Sequence, residues 1–137
     1  MTPQNALHKA IAPSPAYLRY FFFISGIIAT IAYRIIFLLD SFWIEVTWYI
    51  GTIGFALYFG HRMFVENKRA QLVKNFQLTE AVQESAIPND KKTALLYLIK
   101  TSLTSKARFN SAFIFISSVV VLAANAAIDL YNILQHL

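Results

Sequence analysis

Two ionisable side chains stand inside long apolar runs of this chain, and they carry its greatest chemical potential. Arg34 interrupts IIATIAYRIIFLLD, residues 27–40, and Asp129 interrupts VVVLAANAAIDLYNIL, residues 119–134. A charge within an apolar helix is costly in hydrocarbon unless it is paired, faces water or reaches the headgroups. Each lies five residues before the end of its run, about 7.5 Å along a helix, so the two sit at matching depth. An Arg34–Asp129 ion pair between helices is therefore expected. The competing partners for Arg34 are Glu45, another chain, or lipid headgroups reached by snorkelling. Asp40 marks the end of the first apolar run. Glu45 falls in the first turn of the second run, where a carboxylate suits the positive end of the helix dipole.

Uncharged polar and small residues recur at helical spacing around these charges. Ser111, Ser118, Asn125 and Asn132 repeat every seven residues, with Asp129 beside the last two. Asn125 lies in AANAA, where small neighbours admit a second backbone and allow hydrogen bonds between helices. Gly26, Thr30 and Arg34 share one face of the first run by fours. In the second run Thr52, Ala56 and Gly60 form one small-residue stripe, and Gly51 and Gly54 another. Two stripes suit a helix with neighbours on two sides. The polar stripe of the third run has two readings: glue between helices, or a water path in an oligomer.

Motifs for catalysis are absent from the sequence. The three histidines are His8, His61 and His136, and no carboxylate-and-histidine spacing resembles a zinc or di-iron site. There is no phosphate-cradling glycine loop, no H-E-x-x-H and no G-x-S-x-G. Without cysteine there is neither a disulfide nor a thiolate metal site. No catalytic residue, metal or cofactor is expected. In size and number of apolar runs the chain resembles the three-helix bacterial diacylglycerol kinases. Their acidic and asparagine motif on the central helix has no counterpart in GTIGFALYFGHRMFVENKR, where Glu66-Asn67 stands alone, so no active site carries across.

The elements that position these residues follow from the apolar run lengths. About 20 apolar residues cross a bilayer, and three stretches qualify: 16–39, opening after Pro13-Ser14-Pro15; 42–64; and 109–134. A cleaved signal peptide is the alternative for the first, but its apolar run continues through residues 35–39, past the weak site near Ala32. Trp43, Trp48 and Tyr49 cluster at the start of the second, as aromatic residues do at a membrane boundary. The short link between the first two makes them antiparallel neighbours.

Of the twelve Lys and Arg residues, eleven lie before the first span, in its first turn, at the end of the second or between the second and third. The positive-inside rule places that side in the cytoplasm. The N-terminus is then inside and the C-terminus outside, in a bacterial-type inner membrane.

The connector 65–107 has too few residues for a core of its own. Its first half lacks Pro and Gly and is expected to continue the second span as a helix. Pro88-Asn89-Asp90 then breaks the chain and offers Asn89 or Asp90 as an N-cap. A helix over 90–106 follows. Its apolar face is Leu95, Leu96, Ile99 and Leu103, flanked by Lys92, Lys100 and Lys106. That face suits either the anionic inner leaflet or the extension of the second span.

Composition agrees with a membrane chain. Charged residues make up 14% and apolar residues 57% of the 137, against about a quarter charged in soluble domains. The net charge of +5 sits at the ends of the apolar runs rather than along one face, so no nucleic-acid partner is expected. The fold class is an all-α, three-span membrane protein forming one domain over 1–137. The expected function is that of a non-enzymatic membrane subunit or self-associating module, a homo-oligomer or part of a larger complex. The alternatives are an oligomeric channel or transporter component lined by Asn125, Asp129 and Asn132, and a lipid-modifying enzyme.

Overall fold

A computed structural model describes residues 2–137. All its regular elements are helical: α1 (Pro3–Ile11), α2 (Ala16–Ile35), a 3-10 turn (Ile36–Leu38), α3 (Ser41–Asn75), α4 (Leu78–Glu84), α5 (Asn89–Thr104) and α6 (Ala107–Gln135). Three of the helices are long and apolar enough to cross a membrane.

Local chemistry sets most of the boundaries. Pro15 occupies the N-cap of α2 in an extended conformation, which its ring favours. The first apolar run does not stay α-helical to residue 39, because its last turn tightens to 3-10 over Ile36–Leu38. Leu39 and Asp40 are extended, and α3 starts at Ser41. So short a reversal lays α3 antiparallel along α2. Since α3 begins there, Glu45 lies beyond its first turn.

With 35 residues α3 is about 50 Å long, more than the roughly 30 Å hydrocarbon thickness of a bilayer. It passes unbroken through the first half of the connector. It ends at Phe76-Gln77, where Gln77 adopts φ 48° in the left-handed region. The N-cap expected at Asn89 or Asp90 is Pro88 instead. Its missing N–H costs nothing at that position, and Asp90 falls in the first turn of α5, complementing the dipole.

α2 and α6 each pack along α3, and α5 packs on α3 and α4. The core is thin. Among the described residues the buried apolar ones are Ala29, Ala32, Ala70 and Val73, while many Ile, Phe and Leu side chains along α2, α3 and α6 point outward. The accessible surface is 10271 Å², whereas a compact soluble monomer of 15.6 kDa exposes about 7,200 Å². Large apolar side chains are exposed along all three long helices.

Glycine determines how closely α2 meets α3. A Cβ on Gly54 would sit 2.8 Å from the Ser25 carbonyl oxygen and 2.9 Å from the Ala29 Cβ. The two backbones thus come together where neither side chain is larger than a methyl or a hydroxymethyl group.

Candidate functional site

The densest polar arrangement lies between α3 and α6. Asn125 and Asp129 are four residues apart on α6 and so share a face. Asn125 donates from Nδ2 to the Tyr49 hydroxyl at 3.0 Å and to Asp129 Oδ2 at 3.2 Å. The Tyr49 hydroxyl in turn donates to Asp129 Oδ2. All three side chains are half-buried. One carboxylate oxygen therefore receives two donors, one from its own helix and one from α3. Bonds to an ionised acceptor are about twice as strong as neutral ones.

A second polar contact ties α2 to α3. The Thr52 hydroxyl donates to the Trp48 carbonyl at 2.8 Å. That uses its single proton, so Tyr33 is the donor in the 2.6 Å bond between the Tyr33 and Thr52 hydroxyls. Thr52 is buried, and this pairing satisfies it fully.

Arg34 does not meet Asp129. Among the described residues the sole ion pair is Arg62 Nε with Glu66 Oε1, at 3.1 Å. Because α2 and α6 both pack on α3, Asp129 is reached first by Tyr49 of the intervening helix. Arg34 is exposed in the last turn of α2, where a cation complements the negative end of the helix dipole.

The heptad stripe of α6 does not stay on one face. Ser111 is fully buried, Ser118 and Asn125 are half-buried, and Asn132 is exposed. A straight α-helix drifts about 20° per seven residues, so three repeats turn the stripe by about 60°; Asn132 also falls within 130–137, where every residue is exposed.

The stripes of α3 divide differently from their spacing. Gly51 lies under the Tyr33 ring and Gly54 against Ser25 and Ala29, so both face α2, as does Thr52. Gly60 lies under the Phe115 ring and so faces α6. Eight residues separate Thr52 from Gly60, which rotates them by about 80°. Ala56, between them, is half-buried. On α2, Gly26 lies under the Tyr58 ring, while Thr30 is exposed and donates to the Gly26 carbonyl at 2.9 Å.

In α5, which packs on α3 and α4, Leu96, Ile99 and Leu103 are half-buried and Leu95 is 37% exposed. Lys92 donates to the Gln83 carbonyl at 3.0 Å, and Lys100 and Lys106 are exposed. The most exposed apolar side chains of this helix are Tyr97 and Leu98, outside the face read from its periodicity.

Sequence reasoning missed the aromatic partners. Tyr49 reads as a boundary aromatic, yet it holds the α3–α6 cluster, and Tyr33, Tyr58 and Phe115 fill the notches left by glycines. The signal was present as tyrosines within apolar runs, since a phenol in such surroundings needs a partner. Among the described residues no three His, Asp or Glu side chains are grouped to hold a metal ion. His61 stacks on Phe22 with ring centroids 4.2 Å apart.

Fold and site define an all-helical chain with three helices of membrane-crossing length, held side by side by small-residue seams and interhelical hydrogen bonds. The chain matches no protein-family model, no curated protein and no solved structure.

Proposed function

We propose that this chain is an integral membrane protein of the bacterial inner-membrane type. In this reading α2, α3 and α6 cross the bilayer, and the N-terminus, α4 and α5 are cytoplasmic. It serves as a non-enzymatic subunit that self-associates through a helix face left open in the single chain. The observation that carries this reading is on α6. Ala123, Ala124, Ala126 and Ala127 are all exposed, although small residues in a membrane helix are characteristically packed against another helix. The spacing of Ala123 and Ala127 allows close backbone approach by a second copy.

The polar cluster favours packing over permeation. Asn125 and Asp129 are bonded to each other and to Tyr49, leaving Asn132 as the exposed member of the suggested path.

Mass measurement in mild detergent is expected to give a closed homo-oligomer that Ala127→Trp reduces to monomers. A different, stoichiometric co-purifying protein would assign the alanine face to a hetero-complex. Ion flux in liposomes that changes on Asp129→Asn would favour the channel.

The topology is tested separately. Reporter fusions at Asn89 are expected to read as cytoplasmic and fusions after Leu137 as external. The reverse result at either point overturns the orientation, which rests on the positive-inside distribution of Lys and Arg.

A further inference from the structure

A groove runs between α2 and α3 on the side away from the Tyr49 cluster. Its upper part has a volume of about 440 Å³ and an apolar lining that includes Phe23, Ile27, Ile31 and Phe55. Beside it, at the end of the helices rich in basic residues, lies a cavity of about 490 Å³ lined by Arg19, His61, Arg62, Glu66 and Arg69. Phe23, Tyr58 and Arg62 border both, so the two form one continuous surface, apolar above and cationic below.

The geometry follows from contacts already described. Gly26 lets the Tyr58 ring lie against α2, and His61 stacks on Phe22, which fixes the two helices around the cavity. Three arginines and one carboxylate line the cavity, and the second carboxylate oxygen, Glu66 Oε2, is buried without a hydrogen-bond partner. Glu66 Oε1 is taken by Arg62 Nε at 3.1 Å, and Arg62 makes no other ion pair among the described residues. Arg19 and Arg69 are exposed and make no ion pair among the described residues. The planar guanidinium matches a phosphate with two parallel donors.

We infer that this surface binds one anionic phospholipid. Its phosphate lies among Arg19, Arg62 and Arg69, and one acyl chain lies along the groove past Thr30. Charge complementarity selects the lipid class. The apolar continuation distinguishes a whole lipid from a free anion, because phosphate alone has no use for the groove. The inference rests on the membrane reading above, which supplies the ligand at this depth.

Native mass spectrometry of the full chain, offered equal phosphatidylglycerol and phosphatidylcholine in mild detergent, tests it. One retained phosphatidylglycerol per chain is expected, with a preference of about tenfold. The double variant Arg19→Gln/Arg69→Gln removes two charges that make no ion pair among the described residues. It is expected to bring the preference close to one while helix content and mass stay unchanged. The double variant Lys91→Gln/Lys100→Gln, with the same charge change on exposed α5 residues, is expected to keep it. Thr30→Trp, which fills the groove, is expected to lower retention of both lipids.

Equal loss in the arginine and lysine variants would reduce the effect to net charge and overturn the site. Complete displacement by millimolar inorganic phosphate would do the same, by showing that the acyl chain is not gripped. Alkaline carbonate extraction keeps the two failures apart. A chain released from membranes by carbonate refutes the membrane reading, whereas a retained chain without lipid preference refutes only the site.

Discussion

Gly54→Leu is expected to destabilise the bundle by about 3 kcal/mol, the upper range for overpacking. Gly54→Ala is expected to cost about 1–2 kcal/mol. The obstacle is backbone, since an added Cβ meets the Ser25 carbonyl oxygen at 2.8 Å and the Ala29 Cβ at 2.9 Å. Neither can rotate away, so α2 must move off α3 and both the Tyr33–Thr52 bond and the Gly51 notch open with it. Alanine regains roughly 0.5–1 kcal/mol of helix propensity over glycine, too little to offset the clash. Gly60→Ala is the control. Its Cβ also meets an atom at 2.9 Å, but that atom belongs to the Phe115 ring, which shifts more readily than a main chain. There the propensity gain nearly cancels the crowding, and stability should change by less than about 1 kcal/mol. Unfolding in mixed micelles, followed by Trp43 and Trp48 fluorescence, separates the two. Similar losses at both glycines would mean that α2 and α3 do not approach as described.

Tyr49→Phe is expected to cost about 2 kcal/mol, within the range for hydrogen bonds to charged groups. This would exceed the average interhelical hydrogen bond in membrane proteins, roughly 0.6 kcal/mol. The phenol is both donor to Asp129 and acceptor from Asn125. Removing it leaves the carboxylate with one donor in a half-buried site and orphans one amide proton of Asn125. The cost should shrink when Asp129 is already Asn, because the acceptor is then neutral. A double-mutant cycle on Tyr49→Phe and Asp129→Asn should therefore show coupling. The cycle on Arg34→Gln and Asp129→Asn should be additive to within about 0.5 kcal/mol, as for sites that share no partner. Coupling between Arg34 and Asp129 would restore the ion pair that their matching depth suggests. It would also place α6 against α2.

Much of the scaffold was legible because its causes are local. Run length and hydropathy gave three helices of crossing length. Pro13-Ser14-Pro15 and Pro88 marked helix starts, and the absence of Pro and Gly after residue 64 let α3 run on to Asn75. The antiparallel pairing of α2 and α3 followed from a link too short for any other path. These features depend on residues close in sequence, so a single pass along the chain reads them.

Partner choice was decided only by the tertiary structure, because it depends on the rotational phase of each helix against its neighbour. Depth along the chain suggested Arg34 for Asp129, but depth carries no information about which helix stands between them. The position of α3 gave the carboxylate to Tyr49. The same phase problem separated Gly60 from Thr52, and Asn132 falls on an end of α6 that is exposed all round although its stripe begins with a buried Ser111. A period of seven on a helix of 3.6 residues per turn is only an approximate face, and its error grows with length. In α5 the apolar pattern read Leu95, Leu96, Ile99 and Leu103 as one face, of which Leu95 is exposed and the other three are half-buried. Whether protein or lipid covered it required the extension of α3 and the short α4 beside it. The sequence alone thus determined how many long helices there are and where they begin. Their order side by side, and hence every interhelical bond, came from packing between surfaces that no local spacing encodes.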